Sequence, residues 1–171
     1  MEHLNIEIKA KSNSHDEIRE ILKSKNADFK GIDHQVDTYF NTTSGRLKLR
    51  EGNIENHLIH YERENTEGPK QSNITLFKSD PQSSLKEILT KALGILVVVD
   101  KQREIYFIDN VKFHIDVVED LGTFVEIEAI DEHGSIEKDK LLEQCNYFLD
   151  LLHIDQDEMI AVSYSDLLLE K

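Results

Sequence analysis

Leu4-Asn5-Ile6-Glu7-Ile8-Lys9-Ala10-Lys11 alternates without a break. Ile6, Ile8 and Ala10 fall on one side; Asn5, Glu7, Lys9 and Lys11 fall on the other. A period of two over eight residues predicts a β-strand with one apolar and one ionisable face. A solvated sheet surface would explain one such row. The same polar row returns in most later strand-like segments, and a set of rows asks for a different explanation.

Outward from this strand, Ser14 followed by Glu17 has the spacing of a capping box and opens a helix that ends near Asn26, with Ile18, Ile21 and Leu22 on one face. Gly31 to Phe40 reads as a second strand with Gln35, Asp37 and Tyr39 in phase. After the turn 41–45, Arg46-Leu47-Lys48-Leu49-Arg50 sets three cations against two leucines. Strand four runs from His57 to Glu64, and strand five from Ser72 to Lys78 after a loop over 65–70. Leu85, Ile88, Leu89 and Leu93 are spaced for a buried helical stripe, with Gly94 beyond its end. Ile95 to Phe107 begins apolar and then presents Lys101 and Arg103. Asp109-Asn110 turns into strand seven, Val111 to Val118, where Lys112, His114 and Asp116 share a face. Strand eight follows Leu121-Gly122 and carries Phe124, Glu126 and Glu128 on one side. Ser135 caps a final amphipathic helix to about Leu152, and 161–169 is a short helix or an extended tail. One domain over 1–171, with eight strands and two or three helices, is the expected organisation.

The chain has 171 residues, 39% of them apolar, and a formal charge of −14, with a pI near 4.9 and mean hydropathy of −0.48. That length buries a core without disulfides, and the single Cys145 is expected to pack as a small hydrophobe. The acidic average field argues against nucleic acid and anionic membranes as partners. No apolar run approaches the roughly 20 residues of a membrane span, and the N-terminus lacks a signal-peptide core, so cytoplasmic location is expected. Monomer and homodimer are both compatible with the sequence.

Three cations on one short strand repel one another and need a reason. A closed antiparallel sheet with these faces turned inward is a charged tunnel whose apolar outside is covered by helices. The cations suit a polyanion with several oxygens, and Glu126 and Glu128 can reach one hard divalent ion from one strand. A phosphate chain bridged to a divalent ion uses both halves. Pairing between neighbouring strands is the plainer use of the same charges.

Several stretches together are similar to the CYTH family, the triphosphate tunnel metalloenzymes that include class IV adenylyl cyclases and thiamine triphosphatases. They are Asn5-Ile6-Glu7-Ile8-Lys9, Gln35-Val36-Asp37-Thr38-Tyr39-Phe40, Arg46-Leu47-Lys48-Leu49-Arg50, Tyr61-Glu62-Arg63, Gly68-Pro69-Lys70-Gln71-Ser72, Lys101-Gln102-Arg103-Glu104, Asp116 to Glu128, and Ser163-Tyr164-Ser165-Asp166-Leu167-Leu168. They run in the family order over nearly the whole chain, and Asp109 to Glu128 resembles the bacterial proteins grouped with class IV cyclases.

The resemblance implies an α+β protein built on an eight-stranded antiparallel tunnel, with a small-molecule triphosphate along its axis. It implies that Lys9, Arg46, Lys48, Arg50, Arg63, Lys70, Lys101 and Arg103 bind phosphate oxygens. Glu7, Asp116, Glu126 and Glu128 would hold Mg²⁺ or Mn²⁺. Asn5 stands where the family has Glu; it keeps an acceptor oxygen but not the charge, which weakens a second metal site. Lys9 is a candidate general base, with a plain phosphate contact as the alternative. Tyr39, Tyr61, Tyr164 and Asp166 are expected to pack at a tunnel end, His114 could tune Asp116, and His3, His15, His133 and His153 are read as surface residues. An adenylyl cyclase of the class IV type is the leading expectation. A triphosphatase and a non-catalytic polyphosphate-binding protein are the alternatives.

Overall fold

The computed structural model describes residues 2–171. Its strands are β1 (Glu2–Lys11), β2 (Asp28–Phe40), β3 (Arg46–Glu51), β4 (Asn56–Arg63), β5 (Lys70–Lys78), β6 (Ile95–Ile108), β7 (Val111–Val118) and β8 (Gly122–Asp131). They close into an antiparallel barrel in the order β1-β5-β4-β3-β2-β6-β7-β8, which leaves no unpaired edge. The helices are α1 (His15–Ser24), α2 (Leu85–Leu93), α3 (Lys138–Leu151) and α4 (Tyr164–Leu169), with a short 3-10 turn at Gln156–Glu158. The protein is thus an α+β fold around a closed eight-stranded sheet.

Directly paired residues on adjacent strands share a face, so the register carries one polarity around the barrel. Lys9 pairs with Glu126, and Glu126 in turn with His114; Glu7 pairs with Glu128 and Lys70. All but Lys70, which turns to the carbonyls of Ile160 and Ala161, line the lumen. The alternate residues Ile6, Ile8, Ala10, Phe113, Ile115, Val125 and Ile127 face out and are buried beneath Ile18 and Leu22 of α1 and Leu141, Cys145 and Phe148 of α3. Each fully buried aliphatic or aromatic side chain here stabilises the fold by about 1.5–3 kcal/mol. Cys145 is wholly buried in this layer, as its spacing suggested.

Coverage is uneven. α2 has no buried residue, and Ile88 is 60% exposed, so its expected apolar stripe is not a buried one. Leu96 and Val98 on the neighbouring outer face of β6 are also exposed. Local starts differ as well. β2 begins at Asp28 rather than Gly31 because a register shift at Phe29/Gly31 lets pairing with β6 continue; Gly31 takes φ +125° there. Ser14 stands at the cap position of α1 but its side chain makes no cap bond. The reciprocal capping box lies instead at α4, where Ser163 and Asp166 bond each other's backbone N–H. Ser135 does not cap α3; its N–H donates to Asp131, and Glu137 holds the cap position.

The two barrel ends are chemically unlike. At one end Tyr39, Tyr61, Val99, Val118 and Phe124 pack with Tyr164 of α4, and Leu167 and Leu168 lie against them. The other rim is made by the start of β1, the β3–β4 turn and the ends of β6 and β8. It carries His3, Glu55, His57, Phe107, Lys112, Ile130 and Glu132. Among the described residues no helix is long and apolar enough to cross a membrane.

Candidate functional site

The inward rows enclose a cavity lined by seven cations, Lys9, Lys48, Arg50, Arg63, Lys101, Arg103 and Lys112, and by five carboxylates, Glu7, Glu55, Glu126, Glu128 and Glu132. A strongly acidic chain therefore holds an interior with local cationic excess.

That excess is concentrated on the β2–β3–β6 wall. Arg50 Nε and Nη2 donate to Asp37 Oδ1 and Oδ2 at 2.9 and 2.8 Å. Lys101 and Lys48 reach the same Oδ2 at 2.8 and 3.0 Å. Burial opposes a charge on Asp37, but Arg50, Lys101 and Lys48 outweigh it and hold the carboxyl well below the usual range. Glu55 also reaches Arg50, at 3.4 Å, but three cations still outnumber the carboxylates they share. Burial, with Arg50 and Arg103 nearby, brings the Lys101 ammonium down to about 7 despite the attraction of Asp37.

On the facing strands the ion pairs are more local. Arg63 Nη1 donates to Glu7 at 2.5 Å, while its Nε and Nη2 are buried with no acceptor. Lys9 Nζ lies 3.3 Å from Glu126 Oε1 and 3.8 Å from the centre of the Tyr164 ring. Burial lowers the Lys9 ammonium, with Glu126 resisting. Arg103 donates to both oxygens of Asp116 at 2.7 and 2.6 Å, and Tyr164 Oη donates to Asp116 Oδ2 at 2.7 Å. Asp116 is thus engaged behind the wall and does not line the cavity.

The acidic set is different. His114 Nδ1 lies 3.0 Å from Glu126 Oε2 and 3.7 Å from Glu128 Oε1. Asn5 Nδ2 donates to Glu128 Oε2 at 3.4 Å. Asn5 Oδ1 and His114 Nε2 are buried acceptors or donors without a partner. Burial and the Glu7 charge push the Glu128 carboxyl up to about 7. Burial and Arg103 push the His114 imidazole down to about 3, so it is neutral. His114, Glu126 and Glu128 offer ligand atoms within 4.8 Å of one another. An unpartnered amide oxygen beside a carboxylate whose charge is disfavoured by burial and Glu7 is a donor set that fits a hard divalent ion.

Of the residues singled out from sequence, Asn5, Glu7, Lys9, Lys48, Arg50, Arg63, Lys101, Arg103, Glu126 and Glu128 line this one cavity, with Tyr39, Tyr61 and Tyr164 at its α4 end. Arg46 does not. It pairs with Asp166 at 2.7 Å in a separate cleft, on the far side of Tyr39 and Tyr61, which line both. Lys70 donates to the carbonyls of Ile160 and Ala161 at 2.9 and 3.0 Å and ties down the segment that leads to α4. His3 and His57 face the rim, so His3 is not a plain surface residue. His114 contacts Glu126 rather than Asp116.

Three interior groups lay outside the sequence reading of the site. Lys112 has the inward period of His114 and Asp116, which is a usable signal. Asp37 has the right phase, but its partners come from two other strands. Glu55 lies in a turn with no period at all. Asp33 draws it in by accepting the backbone N–H groups of Asn53, Ile54 and Glu55, and Glu55 then pairs with Lys112 and accepts from Gln35 at 3.0 Å.

The chain matches the CYTH domain profile over residues 3–164. It is 32% identical to a Methanocaldococcus jannaschii protein provisionally named an adenylate cyclase, covering 96% of this chain and 98% of that one. A solved Pyrococcus horikoshii structure superposes with a TM-score of 0.77 at 24% identity, over 95% of this chain and 98% of the other. A Hippeastrum protein, provisionally named an adenylyl cyclase and reported to have a dominant triphosphatase activity, superposes at 0.63 with 16% identity, over 98% and 94% of the two chains. On the profile match and the extent of the archaeal relative, this chain belongs to the CYTH domain family.

Proposed function

We propose that the protein is a divalent-cation-dependent enzyme that cyclises a nucleoside triphosphate and releases pyrophosphate. The carrying observation is that one cavity holds both kinds of buried group without a partner: two N–H donors of Arg63, and the Asn5 oxygen beside Glu128. Such groups are costly to bury unsatisfied, so a ligand is expected to supply an anion to one and a cation to the other. A phosphate chain with its divalent ion does both.

The residues divide the work. Arg63 presents two nitrogens in a fixed fork, suited to two oxygens of one phosphate. Lys48, Arg50 and Lys101, balanced by Asp37 with Glu55 on Arg50 alone, attract a second phosphate. Glu126, Glu128 and Asn5 would hold the divalent ion, which supplies charge neutralisation at the phosphate oxygens. The rim offers Phe107, Ile130, His3 and His57 beside an apolar wall of Ile59, Ile74 and Leu76, which suits a flat organic group. Glu128 pairs across the sheet with Lys112, and Lys112 with Phe107 at the rim. An organic head at the rim therefore sets its nearest phosphorus close to the carboxylates. This favours attack there by the sugar 3′-hydroxyl, forming the new P–O bond as the bond to the pyrophosphate oxygen breaks and the hydroxyl proton passes to solvent.

Hydrolysis of the terminal phosphate is the second reading, favoured by the reported activity of the Hippeastrum protein. Lys9, deep in the cavity over Tyr164, would then serve as phosphate contact or as base for the attacking water. Incubation with Mn²⁺ or Mg²⁺ and, separately, ATP, thiamine triphosphate and tripolyphosphate, followed by chromatography, tests the proposal. Cyclic AMP and pyrophosphate from ATP are expected. Phosphate with a diphosphate product and no cyclic nucleotide transfers the assignment to hydrolysis. Binding without turnover would make the protein a polyphosphate carrier.

A further inference from the structure

We infer that His114 is a nitrogen ligand of the divalent ion, which makes this an imidazole–carboxylate site selective for Mn²⁺ or a later first-row ion over Mg²⁺. The inference rests on the cation-dependent reading above and goes beyond it in naming the ligand and the metal class.

The geometry begins with the strands. His114 on β7 and Glu126 on β8 are a directly opposed pair, and Glu128 lies two residues farther along β8 on the same face. Three ligand-bearing side chains therefore project from two hydrogen-bonded strands, where the backbone does not have to move to bring them together. Nδ1 already faces the carboxylates, at 3.0 Å from Glu126 and 3.7 Å from Glu128. The imidazole is 1% exposed and lines the cavity.

Two separate observations mark the group as a place for a ligand. Asn5, also 1% exposed, leaves its Oδ1 without a partner beside Glu128. The second nitrogen of His114 is likewise without a partner. Neither atom has a hydrogen-bond partner in the lining. In the ion-free protein Nδ1–H donates to Glu126; with the ring proton on Nε2 instead, Nδ1 would present its lone pair between the two carboxylates. Two carboxylates, one neutral imidazole and one amide oxygen then match a double positive charge. Lys9 reaches Glu126 Oε1 and Arg103 reaches its Oε2, at 3.3 Å each, and together they fix its orientation.

Metal class follows from ligand type. Mg²⁺ keeps oxygen ligands and several waters, and gains little from an imidazole. Imidazole nitrogen suits the later first-row ions best, Fe²⁺, Ni²⁺ and Zn²⁺ among them, and affinity for a nitrogen–carboxylate site rises along the row from Mn²⁺.

The test is direct binding to the substrate-free protein, without an activity assay. Calorimetric titration of the wild type should give Mn²⁺ an advantage of about tenfold or more over Mg²⁺. The electron spin echo spectrum of the Mn²⁺-loaded wild type should carry the modulation of a directly bound imidazole nitrogen. His114→Gln, or His114→Asn if the first is misfolded by circular dichroism, should lose that modulation and weaken Mn²⁺ by about 10- to 100-fold while Mg²⁺ changes far less. A wild-type spectrum without nitrogen modulation, in a protein that still binds Mn²⁺ and loses it in Glu128→Gln, overturns the His114 assignment and leaves the cation-dependent reading intact. No binding of either ion, alone or with tripolyphosphate, overturns both.

Discussion

Arg63 gives one guanidinium nitrogen to Glu7 and keeps the other two buried without an acceptor. An ion pair that used the whole fork would be a structural clamp; this one leaves two N–H donors that a ligand could take. Arg63→Lys keeps the charge and removes the fork. Affinity for tripolyphosphate should fall by about tenfold or more, since a charge-assisted hydrogen bond is worth about 1.5–3 kcal/mol. Titration calorimetry reads this, and an unchanged affinity would remove Arg63 from the anion contacts.

Asp37 is the counter-charge for Lys48, Arg50 and Lys101. In Asp37→Asn three buried cations lose their only shared carboxylate, and stability should fall by about 3–5 kcal/mol. An added polyanion can take over that role. Tripolyphosphate should therefore raise the Tm of the variant by more degrees than it raises the wild type. An equal or smaller rise would mean that the anion does not reach this wall.

Lys101 gives the fold a pH dependence of defined sign. Its ammonium titrates at about 7 in the folded chain and near 10.4 when unfolded. Between these values the unfolded chain binds more protons, so the unfolding free energy should rise with pH across roughly 7 to 10.4 and this contribution should flatten outside that window. Urea unfolding at a series of pH values checks it, with Lys101→Met as the comparison. A wild-type slope in this window no steeper than that of the variant would contradict the assignment.

The period of two made the barrel legible, because every strand in a closed sheet has an inside and an outside and the repeated rows of charge face inside, while single charges such as Glu104 and Asp100 face out. It does not report which inward groups are already matched. Asp116 has the same phase as His114, yet Arg103 and Tyr164 take up its oxygens. Arg46 shares a row with Lys48 and Arg50, but it sits at the α4 rim, directly opposite Tyr61, where Asp166 takes it. Glu55 was invisible for the opposite reason: a turn has no period, and what brings it inside is the long-range grip of Asp33 on three backbone N–H groups. Side-chain partnership across strands is the information that alternation lacks.

Lys70 illustrates the same point and can be tested. Its ammonium caps the carbonyls of Ile160 and Ala161, which places it under the strap that leads to α4. Lys70→Met should lower stability by about 1–3 kcal/mol and leave the tripolyphosphate affinity within about twofold. A large loss of affinity with unchanged stability would return Lys70 to the phosphate contacts.

The central claim is that the phosphate chain of the ligand, rather than its organic part, occupies the cationic cavity. Competition calorimetry tests it most directly. In the presence of Mn²⁺, tripolyphosphate should bind one to one and displace ATP completely, while adenosine gives no measurable binding and does not displace ATP. Adenosine that competes with ATP, or tripolyphosphate that leaves ATP binding untouched, would contradict the account.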